Sequence, residues 1–288
     1  MIVVTGASGK LGHHVVEALL ENVPANEVAV AVRTVAKAAD LATLGVEVRQ
    51  LDYDKPESAA TALAGADKVL LISSSEVGKR FPQHRTVVDA AKKAGVKLLA
   101  YTSLVNVGRA RMTLAAEHLA TEEYIRASGV PFVFLRNGWY IENYSENLAP
   151  ALAHGALVGS AGHGRVSAAT RSDYAAAAAA VLTGSGHERK VYELAGDTAL
   201  TLSELASAIA TASGKPIVYN DLPAPELARV LIGAGLPQSF ADILADADLG
   251  LGRGELENGS GDLRRLIGRP TTTIVEVLAK HFGTEDAR

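Results

Sequence analysis

The 288-residue chain contains no cysteine, which excludes disulfides, thiolate nucleophiles, iron–sulfur clusters and cysteine zinc sites. Aromatic residues are only 5% of the chain, with a single tryptophan, Trp139, so any place where they gather is informative. There is no excess of basic charge: the net charge is −4 and the isoelectric point near 6.1, which argues against nucleic acid and anionic membrane as partners. No apolar run reaches the roughly 18 residues needed to cross a bilayer; even the stretch Ala175–Ala180 is bounded by Arg171, Asp173 and Gly184. Met1 leads almost directly into an apolar segment, without the charged and apolar regions of a secretory leader. A cytoplasmic protein with no membrane insertion is expected.

Several chemical signatures are also missing. None of the eight tyrosines has a lysine four residues later, so the Y-x-x-x-K pair that supplies a proton in short-chain dehydrogenases is absent. A hydride delivered to a ketone leaves an alkoxide that needs a proton, which counts against carbonyl reduction and sugar epimerisation. Quinone reduction lacks that need, because its product is a phenolate comparable with tyrosine, pKa about 10, that water can protonate. His13, His14, His84 and His118 show no H-E-x-x-H spacing, so no metal site is expected. No G-x-S-x-G elbow occurs, which removes the usual sign of an α/β-hydrolase.

What is present begins at residues 2–12, IVVTGASGKLG. A β-branched run breaks at Gly6 into a glycine-spaced turn and then opens a helix, the arrangement that holds a pyrophosphate on a helix N-terminus. The spacing is G-x-x-G-x-x-G and departs from the usual G-x-G-x-x-G fingerprint. About 20 residues after the last glycine, where a dinucleotide-binding chain of this kind places an acid for the ribose hydroxyl or an arginine for a 2′-phosphate, the sequence reads Val32-Arg33-Thr34. Arg33 therefore points to NADPH, its planar fork matching phosphate oxygens. A solvated arginine at a strand end is the plain alternative.

Short β-branched runs alternate with segments of helical period up to residue 136. Strands are expected near 2–5, 28–32, 46–50, 68–72, 97–102 and 131–136, and helices near 11–21, 36–43, 56–63, 83–94 and 113–128. That alternation is α/β, a Rossmann-type doubly wound parallel sheet, whose ligands bind beyond the carboxyl ends of the strands. Residues 1–136 form the NADP-binding core. Residues 137–288 form a mixed segment that completes the core, with a helix at 173–183 and a strand at 191–194, and then supplies a smaller, mainly helical substrate lobe with helices near 201–212, 224–234, 238–247 and 271–282.

Two loops at the functional edge stand out. Ser73, Ser74 and Ser75 follow the fourth strand, where small hydroxyl residues let the backbone lie against a cofactor; three serines are also an ordinary loop. Arg136–Tyr144 holds the only tryptophan and two tyrosines, a flat wall for a small planar unsaturated substrate, with Asn137 and Asn143 to orient polar atoms. The same aromatics could instead pack the joint between sheet and lobe. Further on, Arg171 precedes a helix capped by Ser172 or Asp173, and either reaches the substrate mouth or pairs with Asp173 or Glu142. The loop Val105–Met112, with Arg109 and Arg111, fits no assignable pattern.

Taken together, VTGASGKLG, AVR ending at Arg33, LLISSSEVGKR at 70–80, AYTSL at 100–104, LRNGWYIENY at 135–144, ATRSDYAAAAA at 169–179 and KVYELAGD at 190–197 resemble the atypical short-chain dehydrogenases of the NmrA-like family, and within it the bacterial NADPH-dependent quinone oxidoreductases. The resemblance implies that Gly6, Ala7, Ser8, Gly9, Lys10, Leu11, Arg33, Ser73, Ser74, Ser75, Asn137, Gly138, Trp139, Tyr140, Ile141, Glu142 and Arg171 surround NADP(H). It further implies two-electron reduction of a quinone by direct hydride transfer, without flavin or metal; Tyr140 and Asn143 are the candidate catalytic residues. Other members of the family reduce triphenylmethane dyes or bind dinucleotide as redox-sensing regulators, and both remain alternatives. A homodimer is compatible with the sequence.

Overall fold

The computed structural model describes residues 1–283. In chain order its elements are β1 (Ile2–Thr5), α1 (Lys10–Leu20), β2 (Val28–Val32), α2 (Ala39–Thr43), β3 (Glu47–Gln50), α3 (Pro56–Ala62), β4 (Lys68–Leu71), α4 (Arg80–Ala94), β5 (Leu98–Leu104), α5 (Thr113–Ser128) and β6 (Phe132–Asn137). There follow α6 (Glu142–Ser145), α7 (Ala149–His154), β7 (Ala156–Gly159), β8 (Arg165–Val166), α8 (Arg171–Thr183), β9 (Val191–Leu194), β10 (Leu200–Thr201) and α9 (Leu202–Ser213). The chain continues through β11 (Val218–Asp221), α10 (Ala224–Gly233), α11 (Gln238–Gly252), α12 (Asp262–Ile267) and α13 (Ile274–Phe282).

Seven strands form one parallel sheet in the order β3-β2-β1-β4-β5-β6-β9. The inner strands are mostly apolar because helices cover both faces, with alternate side chains going to opposite sides, whereas the edge strand β3 reads EVRQ and is exposed or half-buried. In β2, Val28, Val30 and Val32 join the core under α1 and α8, whereas Ala29 and Ala31 join the core under α3, α4 and α5. The alanines of α8 bring it close against α1. The strand order reverses between β1 and β4, so their loops diverge there and leave the crevice in which such sheets bind ligands.

The rest of the chain adds two small sheets, an antiparallel pair β10-β8 and a parallel pair β11-β7, around which α9, α10, α11 and α13 pack with their own cores. Several local expectations differ, among them the following. Residues 35–38 form a 3₁₀ turn, with a regular helix only over Ala39–Thr43. Helix α11 runs on to Gly252. The N-cap of α8 is Thr170, whose hydroxyl accepts the Asp173 N–H at 3.1 Å, because Asp173 is buried and spent on Arg269 and Thr272.

Candidate active site

The β1–α1 turn is shaped by backbone crowding. A Cβ at Gly12 would sit 2.5 Å from the Ala7 Cα, so only glycine lets the helix close on the turn, and Gly6 takes φ +62°. Helix α1 has no side-chain cap and no acid in its first turn; its first amides and its positive end therefore face outward, which suits an anionic phosphate ester. Ala7 and Leu11 put their side chains into the core and offer only backbone, while Ser8, Lys10, His13, His14, Glu142, Glu146 and Arg171 line a cleft of about 430 Å³ beside the turn.

Arg171 organises one wall of that cleft. Its guanidinium lies 3.0 Å from Glu146 and 3.8 Å from Glu142, donates to the Asn143 side chain at 3.4 Å, and stacks 4.8 Å from the centre of the Tyr140 ring. Its partners are thus Glu142 and Glu146, not Asp173. Lys10 pairs with the other oxygen of Glu146. The Asn137–Tyr144 segment is tied down by its backbone: Gly138 N–H donates to Leu194, Ile141 N–H to Ala169, and Ala169 N–H back to Trp139, at 2.8–3.1 Å. Gly138 is needed there, since a Cβ would meet the Tyr174 hydroxyl at 2.9 Å. Asn137 is buried with its Oδ1 unpartnered among the described residues. Such an atom fits a group that brings a donor, as a nicotinamide carboxamide does. Burial raises the Tyr140 hydroxyl pKa, and a bond from Asn137 opposes the shift.

At the end of β2, Arg33 is two-thirds exposed and pairs with Glu76 at 2.9 Å. Glu76 lies in the loop that carries the three serines. Ser75 is exposed, whereas the Ser73 and Ser74 amides donate inward, to Thr102 Oγ1 and to His84 Nε2, both at 2.9 Å.

Beneath this loop is a buried network that spacing in the sequence did not reveal. His84 Nε2 accepts from Ser74, so its Nδ1–H is left for Thr121 Oγ1 at 3.0 Å. His118 Nδ1 meets the Tyr101 hydroxyl at 2.7 Å. Burial first, then the Arg80 charge, pushes both imidazoles down, His84 to about 3. Arg80 Nε donates to the Ser74 carbonyl at 2.6 Å and its Nη1 stands 3.5 Å from His118 Nε2. Next to it, Glu122 is fully buried. It accepts a two-pronged bond from Arg136 at 2.7 and 2.8 Å and a bond from Ser103, and Arg136 also reaches Glu193.

The unassigned loop Val105–Met112 is an anchor to the segment after α11. Asn106, at φ +57°, donates to the Glu255 and Glu257 carbonyls, and the Arg111 and Met112 amides donate to the Glu255 carboxylate. Arg109 reaches the Glu257 carbonyl at 3.3 Å. No helix of the described residues is long and apolar enough to cross a membrane.

The profile of the NmrA-like family matches residues 1–252. Quinone oxidoreductase 2 of Escherichia coli strain K12 is 49% identical over 286 residues, covering 99% of this chain and 100% of that protein. The crystal structure of the NADPH-dependent quinone oxidoreductase of Escherichia coli in complex with NADPH superposes with a TM-score of 0.95 at 50% identity, over 98% of this chain and 100% of that one. The triphenylmethane reductase of Citrobacter sp. in complex with NADP(H) superposes with a TM-score of 0.94 at 41% identity, over 97% of this chain and 99% of that one.

Proposed function

We propose, from the premise that this chain belongs to the NmrA-like family, that it is an NADPH-dependent reductase of small planar quinones, working by direct hydride transfer without flavin or metal. One observation carries the reading: Lys10 and Arg171 line a single cleft beside the turn at the uncapped amide end of α1, and Arg171 stacks on the Tyr140 ring. Near-half identity to a quinone oxidoreductase along the whole chain supports quinone as the acceptor.

In this reading the turn Gly6–Leu11 holds the pyrophosphate by its amides, with Lys10 beside it. Arg33 exchanges Glu76 for the 2′-phosphate. The backbone of Ser73–Ser75 lies along the cofactor, and the Asn137–Glu142 segment with Arg171 surrounds the nicotinamide half, Asn137 Oδ1 accepting from the carboxamide. Bound NADPH supplies the hydride. Tyr140 and Asn143, both positioned by Arg171, set the quinone over the ring, so that positioning in a dry cleft is most of the catalysis.

The test is the loss of NADPH absorbance on mixing the protein with a simple benzoquinone, with and without added flavin and against NADH. Rapid flavin-independent loss favouring NADPH is expected; NADPH binding without turnover of any quinone would refute the reading. Tyr140→Phe and Asn143→Ala should each lower turnover about fivefold, the worth of one neutral hydrogen bond, with NADPH affinity unchanged. The strong likeness to a triphenylmethane reductase makes dye reduction the second reading, tested by offering such a dye in the same assay.

A further inference from the structure

Arg80 departs from the charge pattern of the rest of the cleft. It is the first residue of α4, the end of a helix where a cation is disfavoured. It is partly buried, and burial lowers its pKa. Among the described residues no carboxylate lies within ion-pair distance of it. The acid whose charge it feels, Glu117, has an oxygen engaged by the Gly78 amide at 2.9 Å. Its neighbours cannot neutralise it either. Guanidinium only donates, so His118 turns its Nε2 lone pair to Arg80 and its Nδ1–H to Tyr101, and both His118 and His84 are held uncharged.

Burial raises the Tyr140 hydroxyl pKa, and the charge of Arg80 is among the groups that oppose the rise. A partly buried cation without a counter-ion is costly, and this one is bonded to the Ser74 carbonyl at 2.6 Å, in the loop after β4 that the reading above lays along the cofactor. We propose that Arg80 is the counter-ion for the quinone oxygen that becomes negative on reduction, a catalytic residue of the reaction that spacing in the sequence does not disclose. The proposal rests on the quinone reductase reading. The balance is simple: the quinone gains two electrons and one hydrogen from NADPH, which becomes NADP⁺. The ring becomes aromatic, one oxygen carries the negative charge beside Arg80, and water later supplies the second proton. Tyr101, His118 and His84 are positioning residues that hold the guanidinium without competing for it.

The experiment compares wild type, Arg80→Gln and Arg80→Lys, each checked for folding by circular dichroism. In Arg80→Gln, kcat should fall about 100-fold, as when one oxyanion donor is removed, while NADPH affinity, read by nucleotide fluorescence, holds. Arg80→Lys should retain more turnover than Arg80→Gln. A second readout needs no turnover: 4-nitrophenol, whose colour separates phenol from phenolate, is titrated with pH on protein saturated with NADP⁺. Wild type should lower the pKa of the bound phenol by about one unit or more, and Arg80→Gln should abolish the shift. Absence of the shift in wild type overturns the proposal whether or not the variants fold. So does a folded Arg80→Gln with normal kcat, or one that loses NADPH affinity but not saturated turnover, which would assign Arg80 to the cofactor. If wild type reduces no quinone, the functional reading fails, and the phenolate shift alone decides whether Arg80 holds an anion.

Discussion

At the phosphate end of the cleft, taken together with the Arg33 corner, each cation described has a carboxylate: Lys10 on Glu146, Arg171 on Glu142 and Glu146, His13 on Asp40, Arg33 on Glu76. At the α4–α5 end Arg80 has none, and it stands among two neutral imidazoles and a phenol. Most of the first set is exposed, and exposed pairs are worth about 0–1 kcal/mol. The exposed partners of Lys10, His13 and Arg33 are therefore ones that a phosphate can displace at little cost. The imidazoles and the phenol of the second set are buried and their donors and acceptors are fixed by one another, so it keeps its arrangement through a reaction. One end is built for exchange, the other for constancy.

The largest effect that tests this contrast lies beside the constant end. Glu122→Ala leaves Arg136 short of its principal partner inside the protein, and should destabilise the fold by about 3 kcal/mol or more in urea unfolding, as broken buried pairs do. A loss under about 1 kcal/mol, the range of exposed pairs, would erase the distinction.

Acid separates the two ends next. His84 and His118 titrate near 6.5 when unfolded but are held neutral by burial in the fold, His84 down to about 3. Below pH 6.5 the unfolded chain therefore binds more protons, and stability falls by about 1.4 kcal/mol per pH unit for each histidine. His13 has the opposite sign. Burial pulls its pKa down, but the bond and charge of Asp40 together with the Gly9 and Ala7 backbone outweigh this and leave it raised, so its contribution is present below 6.5 and lost as pH rises through the folded value. Urea midpoints at pH 7 and 5.5 should show a steep acid loss in wild type that flattens in His118→Gln and persists in Asp40→Asn.

Arg33→Ala should reduce the preference for NADPH over NADH about 10- to 100-fold, the worth of a charged hydrogen bond, measured as the ratio of kcat/KM values. An unchanged ratio would remove Arg33 from cofactor choice. The smallest effect concerns exchange itself. Glu76→Gln frees Arg33, so KM for NADPH should fall by up to about fivefold, the limit set by an exposed pair, while KM for NADH stays put.

The parallel sheet was legible because most of its strands are apolar runs with glycine and proline at their margins, and periodicity reports burial directly. The glycine turn was legible for a related reason: Gly12 is there because the Ala7 backbone leaves no room for a Cβ. Pairing across space was not. The acid that meets Arg33 is Glu76, 43 positions away, in a loop read for its serines. His84 and His118 were weighed as metal ligands by their spacing, but their bonding is decided by the packing of α4 on α5, which puts Arg80, Tyr101 and Thr121 around them. Asn106 holds the Val105–Met112 loop through contacts about 150 positions distant, which no local pattern encodes.

The latch on the Asn137–Tyr144 segment has a further consequence. It is made of main-chain bonds to Leu194 and Ala169, with glycine required only at 138. None of those bonds reads the side chains at 139, 140 or 143. Those three positions can therefore drift through generations while the wall keeps its course, and one scaffold can acquire new acceptors without first relearning how to fold.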